Sequence, residues 1–137
     1  MIAALKRGSK KAFVTYLALI KVIIPVYILV TFLRHTGIIQ SLAEFTAPVM
    51  AIFGLPGEAM LALLTGYLLN LYGAIGVMVG LDLSVREVTI LGTMLALAHS
   101  LIIEAAVIKK VSGKLFSLVA LRVGLSIFVG VILNLLL

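Results

Sequence analysis

Apolar residues fill this chain in runs too long for one face of a soluble helix, and without the period-two alternation of barrel strands. Phe13 to Leu33, Ser84 to Ile108 and Leu115 to Leu137 each reach the ~20 residues that carry a helix across a ~30 Å hydrocarbon core. Ile38 to Leu55 is shorter, and Pro56 to Leu81 is long but rich in glycine. Lipid offers no partner to backbone N–H and C=O groups, so each segment must satisfy its own. The pattern predicts an all-α integral membrane protein of about five hydrophobic helical segments. They form one domain over residues 1–137, with a basic segment at 1–12.

Punctuation between the runs sharpens some boundaries. Gly54-Leu55-Pro56-Gly57-Glu58 reads as a tight turn: glycine ends one helix, proline opens the next, and Glu58 lies at the positive N-terminal end. Ser84 and Glu87 have capping-box spacing after the Gly80-Leu81-Asp82 break. Ser41 and Glu44 share that spacing, and a helix starting there runs only ~18 Å before Gly54, weakened by Pro48. A start at Ile38 instead makes Ser41 an interior residue. With Arg34 and Arg86 on one side, segments two and three make an even number of crossings: both span, or both are re-entrant. The spanning reading is preferred and the re-entrant one stays open.

Composition removes the soluble alternatives. Hydrophobic residues make up 64% of the chain, charged residues 12%, and mean hydropathy is +1.32, which leaves too few polar side chains to clothe a water-soluble domain. The net charge of +6 is distributed for a membrane, not for nucleic acid. Lys6, Arg7, Lys10 and Lys11 precede the first span, and Lys109, Lys110 and Lys114 lie between the fourth and fifth. The positive-inside rule then predicts a multi-pass protein of the cell membrane with a cytoplasmic N-terminus and an external C-terminus. Lys21, Pro25 and the lack of a small-residue cleavage pattern favour a retained first helix over a cleaved leader. There is no cysteine, so disulfides and thiolate metal sites are excluded, and no cofactor or metal is expected.

Candidate chemistry lies in the fourth segment. Stepping 100° per residue along a continuous helix places Thr89, Gly92, Thr93, Ala96, His99, Ser100 and Glu104 within about 140° of arc. Ile90, Leu91, Met94, Leu95, Ala98, Ile102, Ala105 and Ala106 form the other side, suited to lipid. The polar arc is therefore expected to face protein or a water-filled path. Helix packing through small and hydroxylated residues accounts for Thr89, Gly92, Ala96 and Ser100 without any function. His99 lies about 15 Å from Lys109, near the midplane, where an ionisable group is a functional candidate; a neutral His99 bonded to a neighbouring helix is the bland alternative. The i,i+5 spacing of His99 and Glu104 suits a metal poorly. Glu104 and Arg122 enter the bilayer from one side to similar depths and are expected to pair. Lys21 snorkels or joins the same network. Asn70 sits mid-span on a stripe of Ala59, Ala62, Gly66, Gly73 and Gly80, beside Tyr67 and Tyr72, where it locks helices, binds a solute or marks a break. Arg122, Ser126, Gly130 and Asn134 form an i,i+4 packing stripe.

Several of these features together resemble a known family: Lys21-Val-Ile-Ile-Pro25, Pro48 followed by Gly54-Leu-Pro-Gly-Glu58, Thr65-Gly66-Tyr-Leu-Leu-Asn70-Leu-Tyr72, His99-Ser-Leu-Ile-Ile-Glu104 with Lys109-Lys110 and Gly113, and Arg122. The chain from Lys21 onward is similar to the Gate, or nucleoside-recognition, domain of spore maturation proteins A and B, ferrous iron transporters and concentrative nucleoside transporters. The resemblance implies a membrane module used in solute movement. It carries over neither iron nor nucleoside as substrate, because the GTPase domain, the cysteines and the extra transport domain are missing from this sequence.

The expected function is a small transport or channel subunit, with a polar path lined by Asn70, His99, Ser100 and Glu104. The alternative is a membrane assembly or interaction protein of the spore maturation type. No nucleophile–base pair points to an enzyme. Beyond the bilayer, the expected partner is a second copy or a separately encoded Gate-like subunit of reversed charge bias. A parallel homo-oligomer would bury the stripes of Gly66 and Gly130 or the polar arc, leaving Met94 and Ile102 toward lipid. None of these residues names the small molecule or ion carried.

Overall fold

The structure is a computed structural model that describes residues 2–111 and 115–137; Gly113 and Lys114 lie outside the described residues. Helix α1 spans Ile2–His35, and α2 spans Ile38–Met50 and tightens into a 3₁₀ turn at Ala51–Phe53. Helix α3, Ala59–Leu64, widens into a π turn at Thr65–Leu69 and is followed by α4, Leu71–Gly80. Helices α5, Val85–Leu97, and α6, Leu101–Val111, precede α7, Leu115–Leu136. Every regular element among the described residues is a helix and none is a strand, as an all-α membrane protein requires.

Two arginines show which helix ends meet. Arg34, at the end of α1, donates from Nη2 to Asp82 Oδ2 at 2.9 Å and from Nη1 to the Gly80 carbonyl at 3.0 Å. Helices α1 and α4 therefore finish at one end of the bundle. Arg86, in the first turn of α5, donates to the carbonyls of Gly54 at 3.1 Å and Asn134 at 3.0 Å, while Asn134 Nδ2 donates to the Ile52 carbonyl at 3.0 Å. The end of α2, the start of α5 and the end of α7 meet there as well.

The second segment thus begins and ends on the same side, and α2 lies across that end with Ile39, Thr46 and Met50 inward. Helix α3 leaves this side and α4 returns to it. Gly66 faces Ala74 and Gly73 faces Thr65, so the two run antiparallel as a hairpin whose tip is Leu69–Asn70. The preferred spanning reading is overturned: segments two and three are re-entrant together, and the even number of crossings is zero. Length explains it. Six α-residues and a five-residue π turn reach only about 16 Å, half the hydrocarbon core. Among the described residues, three units are long and apolar enough to cross: α1, α5 with α6, and α7.

Local chemistry accounts for the boundaries. Ser84 Oγ accepts from Glu87 N at 3.3 Å while Ser84 N donates to Glu87 Oε2 at 2.6 Å, completing the capping box of α5. Ser41 makes no such box; its hydroxyl donates to the Gly37 carbonyl inside α2, whose start is set by Gly37 at φ 79°. Gly54, at φ 62°, ends the 3₁₀ turn in the left-handed conformation.

Close approach between helices depends on absent side chains. A Cβ on Gly76 would sit 3.0 Å from Val26 Cβ, and one on Gly80 2.8 Å from Val30 Cγ1, so α4 presses its small residues against α1. Gly57 is tighter still, because a Cβ there runs into the backbone carbonyl of Ala43 in α2. Gly57→Ala is expected to cost about 2 kcal/mol, since backbone cannot swing aside. Gly92→Ala, where nothing lies within 4 Å, gains up to about 1 kcal/mol of helix propensity. Thermal unfolding in mild detergent compares them, and equal midpoints would refute the assignment.

The expected orientation of α5 is reversed. Ile90, Leu91, Met94, Leu95 and Ala98 are fully buried and form the core with Met50, Ala59, Ala62 and Ala74, whereas Thr89 and Ala96 are exposed and Gly92 has no neighbour. Met94 does not face lipid, and Gly66 and Gly130 are already buried inside the monomer, so neither glycine is free for a partner; Ile102 is exposed. The physical reason is that Thr89 and Thr93 satisfy their hydroxyls on the carbonyls of Val85 and Thr89, both at 2.7 Å. A threonine bonded one turn back carries no unmet polar demand, so the large side chains, which fill space better, take the interior.

Candidate functional site

Both interrupted segments break at the same place. In the first, the π turn ends when Asn70 N donates to the Thr65 carbonyl at 3.1 Å and Asn70 adopts an extended backbone, φ −163°. Its side chain then turns to the next helix, Oδ1 accepting from Gly73 N at 2.8 Å as the N-cap of α4. In the second, Ala98 is extended and Ser100 is left-handed at φ 52°. Ser100 N donates to the Gly66 carbonyl at 2.8 Å, and the Ser100 carbonyl accepts the first bond of α6 from Glu104 N at 3.0 Å. The N–H released by one break is satisfied by a carbonyl beside the other. A Cβ on Gly66 would overlap the end of the Leu95 side chain, so glycine keeps this crossing close.

Helix α7 staples the C-terminal end of α5. Ser126 Oγ donates to the Met94 carbonyl at 2.8 Å and also bonds the Tyr67 hydroxyl. Arg122 Nε donates to the Leu97 carbonyl at 3.0 Å, and its Nη1 forms an ion pair with Glu104 Oε2. His99 Nδ1 lies 3.0 Å from the Leu95 carbonyl. The arrangement matches the helix dipoles: a cation at the negative C-terminal end of α5, and a carboxylate in the first turn of α6 at its positive end. With about 30% of each charged side chain exposed, this pair bridges the two half-helices.

Asn70, His99 and Ser100 therefore belong to the crossing, all partly buried, while Glu104 stands one turn away against Arg122. The break separates α5 from α6, so the polar arc computed for a continuous helix does not run through His99 and Ser100 to Glu104. The stripe from Ala59 to Gly80 is likewise folded in two at Asn70. Lys21 is exposed and outside the Glu104–Arg122 pair. Among the described residues no three His, Cys, Asp or Glu side chains are close enough to hold a metal. Sequence reading missed the Gly66 and Leu97 carbonyls and the staple of Tyr67 to Ser126; Ala98-His99-Ser100 contains neither glycine nor proline to signal its break.

The described residues form cavities both beside the crossing and away from it. An apolar groove of about 390 Å³ lies beside it, between Leu68, Leu101, Ile102 and Phe116. A polar one of about 310 Å³ opens at the far end between Thr31, Arg34, His35, Gln40 and Asp82.

A family model described as "Gate: Nucleoside recognition" matches residues 16–115. The chain is 44% identical over 128 residues to the uncharacterized membrane protein YvoD of Bacillus subtilis (strain 168), covering 93% of this chain and 41% of that protein. It is 32% identical over 89 residues to the inner membrane protein YjiG of Escherichia coli (strain K12), covering 61% of this chain and 58% of that protein. The chain thus spans less than two thirds of the length of either relative. No solved structure matches it.

Proposed function

Because the chain belongs to the Gate, or nucleoside-recognition, family, we propose that it is a membrane transport module whose small polar solute passes the crossing of the two interrupted segments. The observation that carries this reading is the contact of the breaks themselves, Ser100 N to the Gly66 carbonyl at 2.8 Å. Irregular backbone at membrane depth is tolerated where protein buries it or where it lines a cavity, and transporters place their sites between such half-helices. Asn70 Oδ1 is used in capping, which leaves its Nδ2 donor for a solute, together with His99 and the Ser100 hydroxyl. Glu104, held by Arg122, sets the charge at the edge of the path.

Uptake into proteoliposomes tests this, with uncharged nucleosides first and small acids and cations after. Asn70→Ala is expected to lower uptake at least tenfold, although the lost cap costs only about 1 kcal/mol of stability. Folded protein that moves none of these solutes would sink the proposal.

The assembly alternative draws on the outward arc of Thr89, Gly92 and Ala96, a small-residue surface with nothing packed on it. We place the contact with a second copy or a second Gate-like subunit there. A Cβ at Gly92 meets nothing within 4 Å, so Gly92→Leu is expected to keep the monomer fold and to shift the particle to a smaller mass in light scattering; an unchanged mass rules that contact out. By the positive-inside rule, the lysine bias favours a cytoplasmic α1 N-terminus as part of this proposal. Single cysteines at Thr36 and Lys109 are expected to label from the external and cytoplasmic sides respectively, and labelling of each from both sides would refute a single orientation.

A further inference from the structure

The N-terminal turns of α1 present a charged surface that nothing else in the fold uses. Counting back the ~20 residues of a span from Arg34 reaches Thr15, so Lys6 to Lys11 lie roughly 6–14 Å beyond the hydrocarbon edge, at and just outside the headgroup layer. At 100° per residue Lys6, Lys10, Arg7 and Lys11 fall within about 140° of one face, and all four are exposed. Gly8 between them has no neighbour within 4 Å.

No acid of the protein balances this end. The sequence holds five acidic residues. Glu44, Glu58, Asp82 and Glu87 lie on α2, at the head of α3 and around the start of α5, at the opposite end, and Glu104 is paired with Arg122. The first turn of α1 carries no acid either, so the helix dipole adds to the positive field. Exposed Lys109, at the end of α6, joins the same side.

We infer that this face of α1 binds the phosphate headgroups of anionic phospholipids in the adjoining leaflet, fixing the helix at a set depth. The complement is dictated by charge: four cations at phosphate depth, no internal counter-ion, and an anionic surface within reach. A juxtamembrane Lys or Arg contributes on the order of a fivefold preference for an anionic surface, falling with salt. The inference is independent of whether the crossing carries a solute.

Native mass spectrometry of the full chain released from nanodiscs of mixed phosphatidylglycerol and phosphatidylcholine tests it. Wild-type protein is expected to retain phosphatidylglycerol preferentially, in a salt-sensitive manner. The variant with Lys6, Arg7, Lys10 and Lys11 all changed to Gln is expected to lose that preference at least tenfold with unchanged helicity. An unaltered preference in that variant overturns the inference, as does displacement of the lipid by inorganic phosphate, which would mark a free-anion site. Capture of an acidic protein without any lipid preference also overturns it.

Discussion

Arg122→Met is expected to be among the most damaging single changes in the protein, lowering stability by about 3 kcal/mol. The side chain holds two things at once: the Leu97 carbonyl at the frayed end of α5, through Nε at 3.0 Å, and the Glu104 carboxylate in the first turn of α6. Methionine keeps the volume but leaves a carboxylate and a carbonyl without a donor at membrane depth. Glu104→Gln leaves the cation unpaired instead, yet glutamine still offers an oxygen to Arg122, so its cost falls below that of Arg122→Met. Exchanging the two, Glu104→Arg with Arg122→Glu, recovers only part of the loss, because glutamate cannot donate to Leu97 and each charge then opposes its helix dipole. Unfolding in mild detergent reads all three. Strictly additive losses in the exchanged pair would show that the residues act independently.

The second large effect is expected at Gly66. Valine there drives its Cβ into Leu95, a side chain with no exposed surface, and to 3.1 Å from Ala74 Cβ. Overpacking by a single methylene already costs about 1–3 kcal/mol. Forcing α3 from α5 also breaks the Ser100 N–Gly66 carbonyl bond, leaving two backbone groups without their partners. Gly66→Val is therefore expected to abolish both the folded particle and any solute uptake, and Gly66→Ala to weaken both. Leu95→Ala combined with Gly66→Ala, which frees the occupied space, restores part of the stability. A Gly66→Val protein with a wild-type unfolding midpoint would remove the crossing as an explanation of the fold.

The sequence by itself determined the solvent, the helical class, three spans and the boundary at Ser84, because each rests on information carried locally. Run length and hydropathy fix what can live in lipid, and a capping box satisfies its own donors within one turn. The Glu104–Arg122 contact follows similar arithmetic of depth from a shared end. What the sequence could not carry was direction. Whether Pro56 to Leu81 crosses or turns back depends on Asn70 abandoning the helix to cap α4, a choice made profitable only by Ser100 arriving from α5 to take the Gly66 carbonyl. The face of α5 that turns inward was equally undetermined. Leu, Met and Ile match lipid as well as they match a core, and threonines bonded to their own helix match either, so neither pattern states which side is interior. Only tertiary packing decided it: Gly130 opens α7 just enough to seat Met94, Ser126 adds a second bond to the Met94 carbonyl that Ala98 N already caps, and Arg122 takes the Leu97 carbonyl where α5 breaks at Ala98.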